Sequence, residues 1–306
     1  MPDFNEISSE IRQHNPGEAA VRKKYLKRLC ETTGRNTVLY YSAWLQKRGN
    51  LPLGIDDTDM NGFMSVFKDL DRTKGLDLVL HTPGGILSST EAIIHYFRAL
   101  FGTNIRVIVP QLAMSAGTIV ALSAKEIVMG THSSLGPIDP QLGDSSGSFI
   151  SAHAVVEEFE TAKKEIAANP KNSELWKVII AKYRPTFIGD CQKAVKWGDE
   201  LAKELLSTGM FEDEPAASKK IIVNKIVKGL ADHEFSKAHD RHFSAQQCQK
   251  FGLKIINLES NKELQDAVLS VHHASVCTMM QPTIIKFIEN HEGKSHILSV
   301  QVQSGK

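Results

Sequence analysis

Apolar runs alternate with segments of helical spacing along the first half of the chain. Buried strands are predicted by short runs of apolar and β-branched residues, at 36–45, 76–85, 104–110 and 126–130, the second of which breaks at Pro83-Gly84-Gly85. Helices are predicted by apolar residues at helical spacing or by clustered small residues, at 17–33, 56–70, 88–101 and 114–124. Because strands that alternate with helices favour right-handed βαβ units, the pattern predicts an α/β fold with a parallel sheet over roughly residues 36–140.

The second half of the chain is predicted to be mostly helical from 151 to 235. The stretch QLGDSSGS (141–148) predicts a mobile loop, and FEDEPAAS (211–218) predicts a second break. Residues 242–258 are predicted to form a helix that leads into a last strand. The predicted organisation is an N-terminal helical segment 1–35, a core made of 36–150 and 236–260, a helical insertion 151–235 and a C-terminal segment 261–306.

Charge and cysteine content narrow the classes of function. The 36 Lys and Arg residues against 35 Asp and Glu leave a net charge of +1, too weak a field to gather nucleic acid. The four cysteines form no C-x-x-C pair, which argues against a disulfide framework and a zinc site. No secretory signal and no apolar stretch of about 18 residues is evident. We therefore expect a soluble cytoplasmic protein with no membrane span and no nucleic acid partner.

Two candidate chemical features follow successive predicted strands. HTPGG (81–85) places glycines at a strand end, where bare backbone N–H groups can approach a ligand and form an oxyanion hole. AMSAGT (113–118) places Ser115 at the start of a helix, where the dipole favours a developing anion. Taken singly, the first is more simply an ordinary turn and the second a helix cap. Together they predict a shared site, since the carboxyl ends of parallel strands lie side by side.

These segments resemble a known family. Residues 76–142 are similar to the serine dehydrogenase proteinase family, related to signal peptide peptidase A within the Clp protease/crotonase superfamily. HDRHFSAQQCQKFGL (239–253) resembles the strand–helix element near the end of that superfamily's core, and KFIENHEG (286–293) also resembles the family. The resemblance implies a Clp protease/crotonase-like core of repeated βαβ units with a helical extension, a homo-oligomer, and peptide or protein substrates.

The same resemblance implies roles for individual residues. Ser115 takes the place of the nucleophile, which would form an acyl-enzyme during peptide hydrolysis. Gly84, Gly85 and the amide of Ala116 take the places of the oxyanion hole. Such catalysis needs neither a metal nor an organic cofactor, and the sequence contains no dinucleotide or phosphate-binding glycine motif.

The general base is left open by the sequence. Residues 136–138 (GPI) fall where signal peptide peptidase A, which uses a lysine base, carries Gly-Ser-Ile. Asp139 stands near the place of the Clp triad's histidine. The helical spacing of Val156, Phe159 and Lys163 predicts that Lys163 lies on the apolar side of its helix, which makes it the first candidate for the base. The structural alternative for Lys163 is a lysine that buries only its stem.

Histidines and a second aspartate are the rival candidates. By resemblance, Asp240 takes the place of the Clp triad's aspartate. His239 lies beside it in sequence and is a second candidate base, oriented by Asp139 or Asp240. His81 either lines the cleft or supports the turn, and His132 matches a non-catalytic threonine of signal peptide peptidase A.

Two other classes of function stay open. The crotonase relatives use the same oxyanion amides to stabilise thioester enolates of acyl-CoA, and they need no serine at position 115. A non-catalytic oligomeric scaffold would keep the fold and lack a base. The leading hypothesis is a serine endopeptidase.

Overall fold

The computed structural model describes residues 3–13, 17–143, 149–231 and 240–301. Its strands are β1 (Asn36–Ser42), β2 (Leu76–His81), β3 (Ile105–Val109), β4 (Leu112–Ala113), β5 (Glu126–Met129), β6 (Ser134–Leu135), β7 (Gln141–Gly143), β8 (Phe149–Ser151), β9 (Phe243–Ser244), β10 (Ile255–Asn257), β11 (Ile284–Asn290) and β12 (Ser295–Ser299). Its α-helices are α1 (Phe4–Gln13), α2 (Gly17–Thr33), α3 (Asp59–Phe67), α4 (Leu87–Phe101), α5 (Ala116–Leu122), α6 (Ala152–Ala168), α7 (Ser173–Ile180), α8 (Phe187–Thr208), α9 (Ala216–Ala231), α10 (Ala245–Phe251) and α11 (Lys262–Met279).

A mostly parallel sheet forms the centre of the molecule. Its strands pair in the order β10-β5-β3-β2-β1-β11-β12. The first five run parallel, whereas β11 and β12 join the edge beside β1 as an antiparallel pair. The predicted α/β class and parallel sheet are confirmed. The antiparallel edge comes from the C-terminal segment, for which the sequence pattern predicted no elements.

Local backbone chemistry moves several predicted boundaries. The strand within 76–85 ends at His81, and the chain turns through Pro83 and two glycines that adopt positive φ, where the break was predicted. The predicted helix at 114–124 begins at Ala116, because Ser115 itself has φ 51°. The predicted loop at 141–148 is wrong over 141–143, which form β7 and pair with β8. The rest of that loop, 144–148, lies outside the described residues.

Residues 152–231 are mostly helical, as predicted. Helix α6 packs against α8 around Val155, Phe187 and Cys191. Within the described ranges, none of the helices combines the length and the apolar content needed to cross a membrane. The domain boundaries stay a prediction.

Apolar side chains cover the sheet on both faces, as expected for parallel strands flanked by helices. Every residue of β2 is buried. Leu78 and Leu80 pack on the face covered by α3, α4 and α5, whereas Val79 packs with residues of α2 and α11 on the other face. The end of β2, and with it the glycine turn, is therefore held from both sides.

A buried ion pair fastens α2 to the sheet. The Arg22 guanidinium donates to the Glu289 carboxylate on β11 and, at 2.6 Å, to Thr278 Oγ1. It also lies 4.5 Å from the centre of the Phe287 ring. The side chains of Arg22 and Glu289 are only 2% and 4% exposed, so each charge depends on the other for compensation.

Two buried histidines lie together at the end of β2: His81, its last residue, and His272 of α11. His81 is 1% exposed, and its ring centre is 5.4 Å from that of Tyr41 and 5.8 Å from that of His272. The Tyr41 hydroxyl is 3.1 Å from His272 Nδ1. Burial lowers the pKa of His81 to about 4. Burial, with added repulsion from neighbouring histidines, lowers the pKa of His272 to about 3.

Both histidines are neutral in the folded protein at pH 7, whereas an unfolded histidine has a pKa near 6.5. Below about pH 6.5 the unfolded chain takes up protons that these buried rings do not bind. The free energy of unfolding therefore falls as the pH drops toward 4.

We predict that His272→Asn flattens this pH dependence, because Asn keeps an acceptor for the Tyr41 hydroxyl and does not titrate. Between pH 6 and 4 the variant should lose about 1.4 kcal/mol less per pH unit than the wild type. Urea denaturation at a series of pH values measures the slope. The matched control is His95→Asn on the exposed face of α4, which should keep the wild-type slope. An unchanged slope in His272→Asn would contradict the prediction.

Candidate active site

Ser115 lies in a strained turn between β4 and α5. Its backbone adopts φ 51° and ψ −118°, which non-glycine residues rarely do. Hydrogen bonds on both sides hold the turn: Gly117 N–H donates to Met114 O and Thr118 N–H donates to Ser115 O, both at 2.8 Å. The Thr118 hydroxyl, at 3.0 Å from Ala113 O and 2.9 Å from Gly136 O, ties the turn to the strand beside it. The serine side chain remains partly exposed.

The glycine turn after β2 packs directly against Ser115. Thr82 N–H donates to Leu112 O at 3.1 Å, and Met114 N–H donates to Thr82 O at 3.0 Å, so the two turns are joined as backbone neighbours. Gly84 has φ +105°, and a Cβ placed on it would lie 2.6 Å from Ser115 Cβ. Only glycine fits there, because real Cβ atoms do not approach so closely. The predicted neighbourhood of the two motifs is therefore present.

Two backbone amides beside Ser115 have no acceptor in the described part of the chain. The Gly84 carbonyl accepts from Ile55 N–H at 2.7 Å, and the Gly85 N–H of the same trans peptide points the opposite way. Ala116 opens α5, so its N–H has no partner within the helix. The Gly84 N–H donates to Thr82 Oγ1 at 3.2 Å. The N–H groups of Gly85 and Ala116 are thus the donors open to a ligand. Gly84, which lacks a side chain, lets the glycine turn approach Ser115 closely.

A small second sheet brings the candidate acids to the Ser115 end. Strand β4 pairs in parallel with β6, and β6 pairs antiparallel with β9, in the register Leu135 opposite Phe243. Ser115 and Asp139 both follow their strands, and Asp240 precedes β9. All three residues consequently lie at the same end of this sheet.

Asp139 and Asp240 differ in environment. Asp139 is 2% exposed, in a segment fixed by Ile138 N–H donating to Leu230 O at 3.1 Å and Ala152 N–H donating to Pro140 O at 2.9 Å. Asp240 is exposed, in a turn. His239, the other candidate base, lies outside the described residues.

The predicted orientation of Lys163 is wrong. Its side chain is 68% exposed, and its Nζ lies 2.7 Å from Glu160 Oε1 on the same helix. The buried stripe of α6 runs through Ala152, Val155 and Ala162, one position earlier than the predicted stripe. The small side chain of Ala162 faces the interior, and this turns Lys163 toward solvent.

The remaining histidine candidates do not reach Ser115 by any described contact. His81 lies in the aromatic cluster under β2, which is the structural role that the sequence left open. The His132 side chain is 43% exposed and lies 3.9 Å from Glu259. Among the described residues, no three His, Cys, Asp or Glu side chains converge to hold a metal ion.

The sequence analysis missed the segment that pairs with the glycine turn. Ile55 forms a parallel bridge with Gly85, and Ile86 N–H donates to Ile55 O at 2.9 Å. The available signal was Gly54, whose position leaves little room for a side chain, since a built Cβ would lie 3.1 Å from Gly84 O and 3.2 Å from Gly85 Cα.

Two uncharacterised archaeal proteins are similar to about half of this chain. One uncharacterised protein of Methanocaldococcus jannaschii is 33% identical over 153 residues, which cover 48% of this chain and 49% of the relative. A second uncharacterised protein of that archaeon is 31% identical over 160 residues, which cover 52% of this chain and 47% of the relative. The chain thus spans about half the length of the curated relatives it matches.

A family model described as a ClpP-like SDH-type serine proteinase matches residues 54–296. The match begins at the segment that pairs with the glycine turn, includes both turns, and continues into β12. It covers most of the chain and agrees with the parallel sheet described above. The chain belongs to the family of ClpP-like SDH-type serine proteinases.

Proposed function

We propose that this protein is a serine endopeptidase that uses Ser115 as its nucleophile. The observation that carries the proposal is the packing of Gly84 against Ser115, which leaves the open amides of Gly85 and Ala116 beside a partly exposed hydroxyl. Two preorganised N–H donors next to a nucleophile form the arrangement that stabilises a tetrahedral oxyanion. Membership of a serine proteinase family supports the same reaction.

The reaction follows from these groups. Ser115 Oγ attacks the scissile carbonyl carbon, its proton passes to the base, and the carbonyl π electrons move onto oxygen. The Gly85 and Ala116 amides donate to that oxyanion. Collapse of the intermediate expels the amine, which takes the proton from the base, and leaves an ester on Ser115. Water then hydrolyses the ester by the same route and frees the serine.

Asp139 is our candidate for the proton relay. It is buried and it follows the strand that pairs with β4. By the resemblance it also stands near the place of the Clp triad's histidine. Lys163 is turned to solvent, so we do not propose it as the base. Asp139 either receives the Ser115 proton or orients His239, which receives it.

The substrate is proposed to be an extended peptide or protein segment. One edge of the Gly85–Ile86 segment is paired with Ile55 through an isolated bridge, while Gly85 and Ile86 are exposed, Ile86 by 54%. A peptide that adds alongside this segment would present its carbonyl to the oxyanion amides. A homo-oligomer, as the family implies, is part of the same proposal.

The acyl-CoA alternative finds less support in the geometry. An enolate-stabilising site needs the amides alone, whereas this chain also holds Ser115 in an unfavourable backbone conformation. Strain of that kind is retained where the surrounding structure and the function require it.

We predict that Ser115→Ala abolishes labelling by a fluorophosphonate probe and hydrolysis of a casein substrate, with the melting temperature preserved. The reason is that the probe reacts with an activated hydroxyl, which Ala lacks. The matched control is Ser65→Ala on the exposed surface of α3, which should label at the wild-type rate. Labelling of the Ser115 variant at that rate would refute the assignment of the nucleophile.

We predict that Asp139→Asn lowers kcat at least about 100-fold, because the serine proton loses its acceptor or the orienting partner of that acceptor. Asp213→Asn, which changes a carboxylate that is 84% exposed, should leave kcat unchanged. A His239→Asn variant then separates the two roles: if Asp139 itself receives the proton, this variant keeps kcat, and if Asp139 orients His239, it loses kcat as far as Asp139→Asn does. Wild-type kcat in Asp139→Asn would remove it from the relay.

We predict that Gly84→Ala reduces the fluorophosphonate labelling rate at least about 100-fold, a loss comparable with removal of an oxyanion donor. The new Cβ would displace Ser115 from its place beside the amides. The control is Gly34→Ala, where φ is also positive, at +66°, but no atom lies within 4 Å of a built Cβ. This control should cost about 1 kcal/mol of stability and no labelling. Equal labelling by both variants would show that the close approach is dispensable.

A further inference from the structure

The orientation of the Gly85 amide depends on a short segment outside the two turns. Ile55 N–H donates to Gly84 O at 2.7 Å, and Ile86 N–H donates to Ile55 O at 2.9 Å. These two bonds fix the peptide planes on either side of Gly85. A shift of Ile55 would rotate the Gly84–Gly85 peptide, and with it the N–H that faces away from Ile55.

A buried lysine from the far end of the chain holds that segment. Lys286, on β11, has a side chain that is 1% exposed. Its Nζ donates to Gly54 O at 2.9 Å, to Asp56 Oδ2 at 2.9 Å and to Asp59 Oδ2 at 3.1 Å, and it also lies 2.9 Å from Asp59 Oδ1. The three acceptors match the three donors of an ammonium group, and they bracket Ile55 in sequence.

The surrounding groups complete the anchorage. Asp59 Oδ2 accepts from the Tyr40 hydroxyl at 2.9 Å and from Asp56 N–H at 3.0 Å. Ser89, in the first turn of α4, donates to Asp57 Oδ1 at 2.5 Å. The segment is therefore tied to β1, to β11 and to the helix that follows the glycine turn.

A backbone irregularity accompanies Lys286. The register of β11 against β12 shifts between Ile284 and Lys286, a β-bulge or irregularity that breaks regular pairing. Bulges re-aim the side chain that they carry and recur next to functional sites. Burying this ammonium is costly because the charge loses its hydration. Apolar residues of similar volume often stabilise a core as well as a buried ion cluster does. Its acceptors lie on the segment that pairs with the glycine turn, which places this buried charge where it can affect the Gly84–Gly85 peptide.

We propose that Lys286 is a positioning residue for the oxyanion hole, which it orients through Gly54, Ile55 and the Gly84–Gly85 peptide. The proposal rests on the serine endopeptidase function proposed above. Lys286 does not touch the reacting atoms. It keeps the Gly85 N–H aimed at the place where negative charge develops.

The test uses the full chain carrying Lys286→Met together with Asp59→Asn. Met approximates the lysine stem, and Asn removes the carboxylate that would otherwise stay buried without its cation. Asn also keeps an acceptor for the Tyr40 hydroxyl and the Asp56 amide. The matched control is Arg22→Met with Glu289→Gln, which removes another buried ion pair from the same strand, β11.

The first readout is kinetic. The Lys286 double variant should lose about 10- to 100-fold in kcat and in affinity for a peptide aldehyde, whose hemiacetal oxygen needs the oxyanion amides, with KM changed less than threefold. The Arg22 double variant should keep kcat within about threefold. Wild-type kcat in the Lys286 variant, or equal kcat losses in both variants, would overturn the proposal.

The second readout does not depend on activity. Amide hydrogen exchange over residues 82–88 should be at least about tenfold faster in the Lys286 variant and unchanged in the Arg22 variant. Unchanged exchange in the Lys286 variant overturns the positioning role, even if the protein is a peptidase. If Ser115→Ala shows that the protein is not a peptidase, faster exchange at 82–88 still establishes the mechanical link, while the catalytic purpose fails.

Discussion

The contact between Gly84 and Ser115 is the constraint on which the site depends. Two turns that follow neighbouring strands meet so closely that a single methyl group would not fit between them. This closeness requires glycine at one turn, and it sets the open amides of Gly85 and Ala116 beside one hydroxyl. Backbone hydrogen bonds from Thr82 to Leu112 and Met114 hold the two turns together.

Local patterns were sufficient to predict the frame and the two turns. The parallel strands are short apolar runs. The turn after β2 is marked in the sequence by two adjacent glycines, the residues that adopt positive φ most easily. Which face of a helix is buried is harder to predict from sequence. Lys163 lies at the edge of the apolar stripe of α6, where its neighbour Ala162 is buried and the lysine side chain reaches solvent. Apolar spacing alone could not distinguish this orientation from the predicted one.

Ion pairs between residues far apart in sequence could not be predicted, because no local sequence pattern indicates them. Lys286 meets Asp59 across 227 positions of sequence, and Arg22 meets Glu289 across 267. Charged residues are usually solvated, so a sequence offers no reason to bury these in particular. The positive φ of Ser115 was equally hidden, since serine at a helix start is ordinarily a simple cap.

The buried polar groups near the site have a common physical character. Burial keeps His81, at the end of β2, neutral and away from solvent, and the Lys286 ammonium is surrounded by acceptors. Water and substrate instead contact two backbone amides that have no acceptor in the described part of the chain. One is the Ala116 N–H at the start of α5, and the other is the Gly85 N–H on the side of the glycine turn that faces away from Ile55. Such an oxyanion hole is preorganised, because its two donors are in place before negative charge develops. The surrounding charged and aromatic side chains pack around the backbone that carries these donors. The rigidity of the surroundings is thus what allows two ordinary backbone amides to act as a binding site for negative charge.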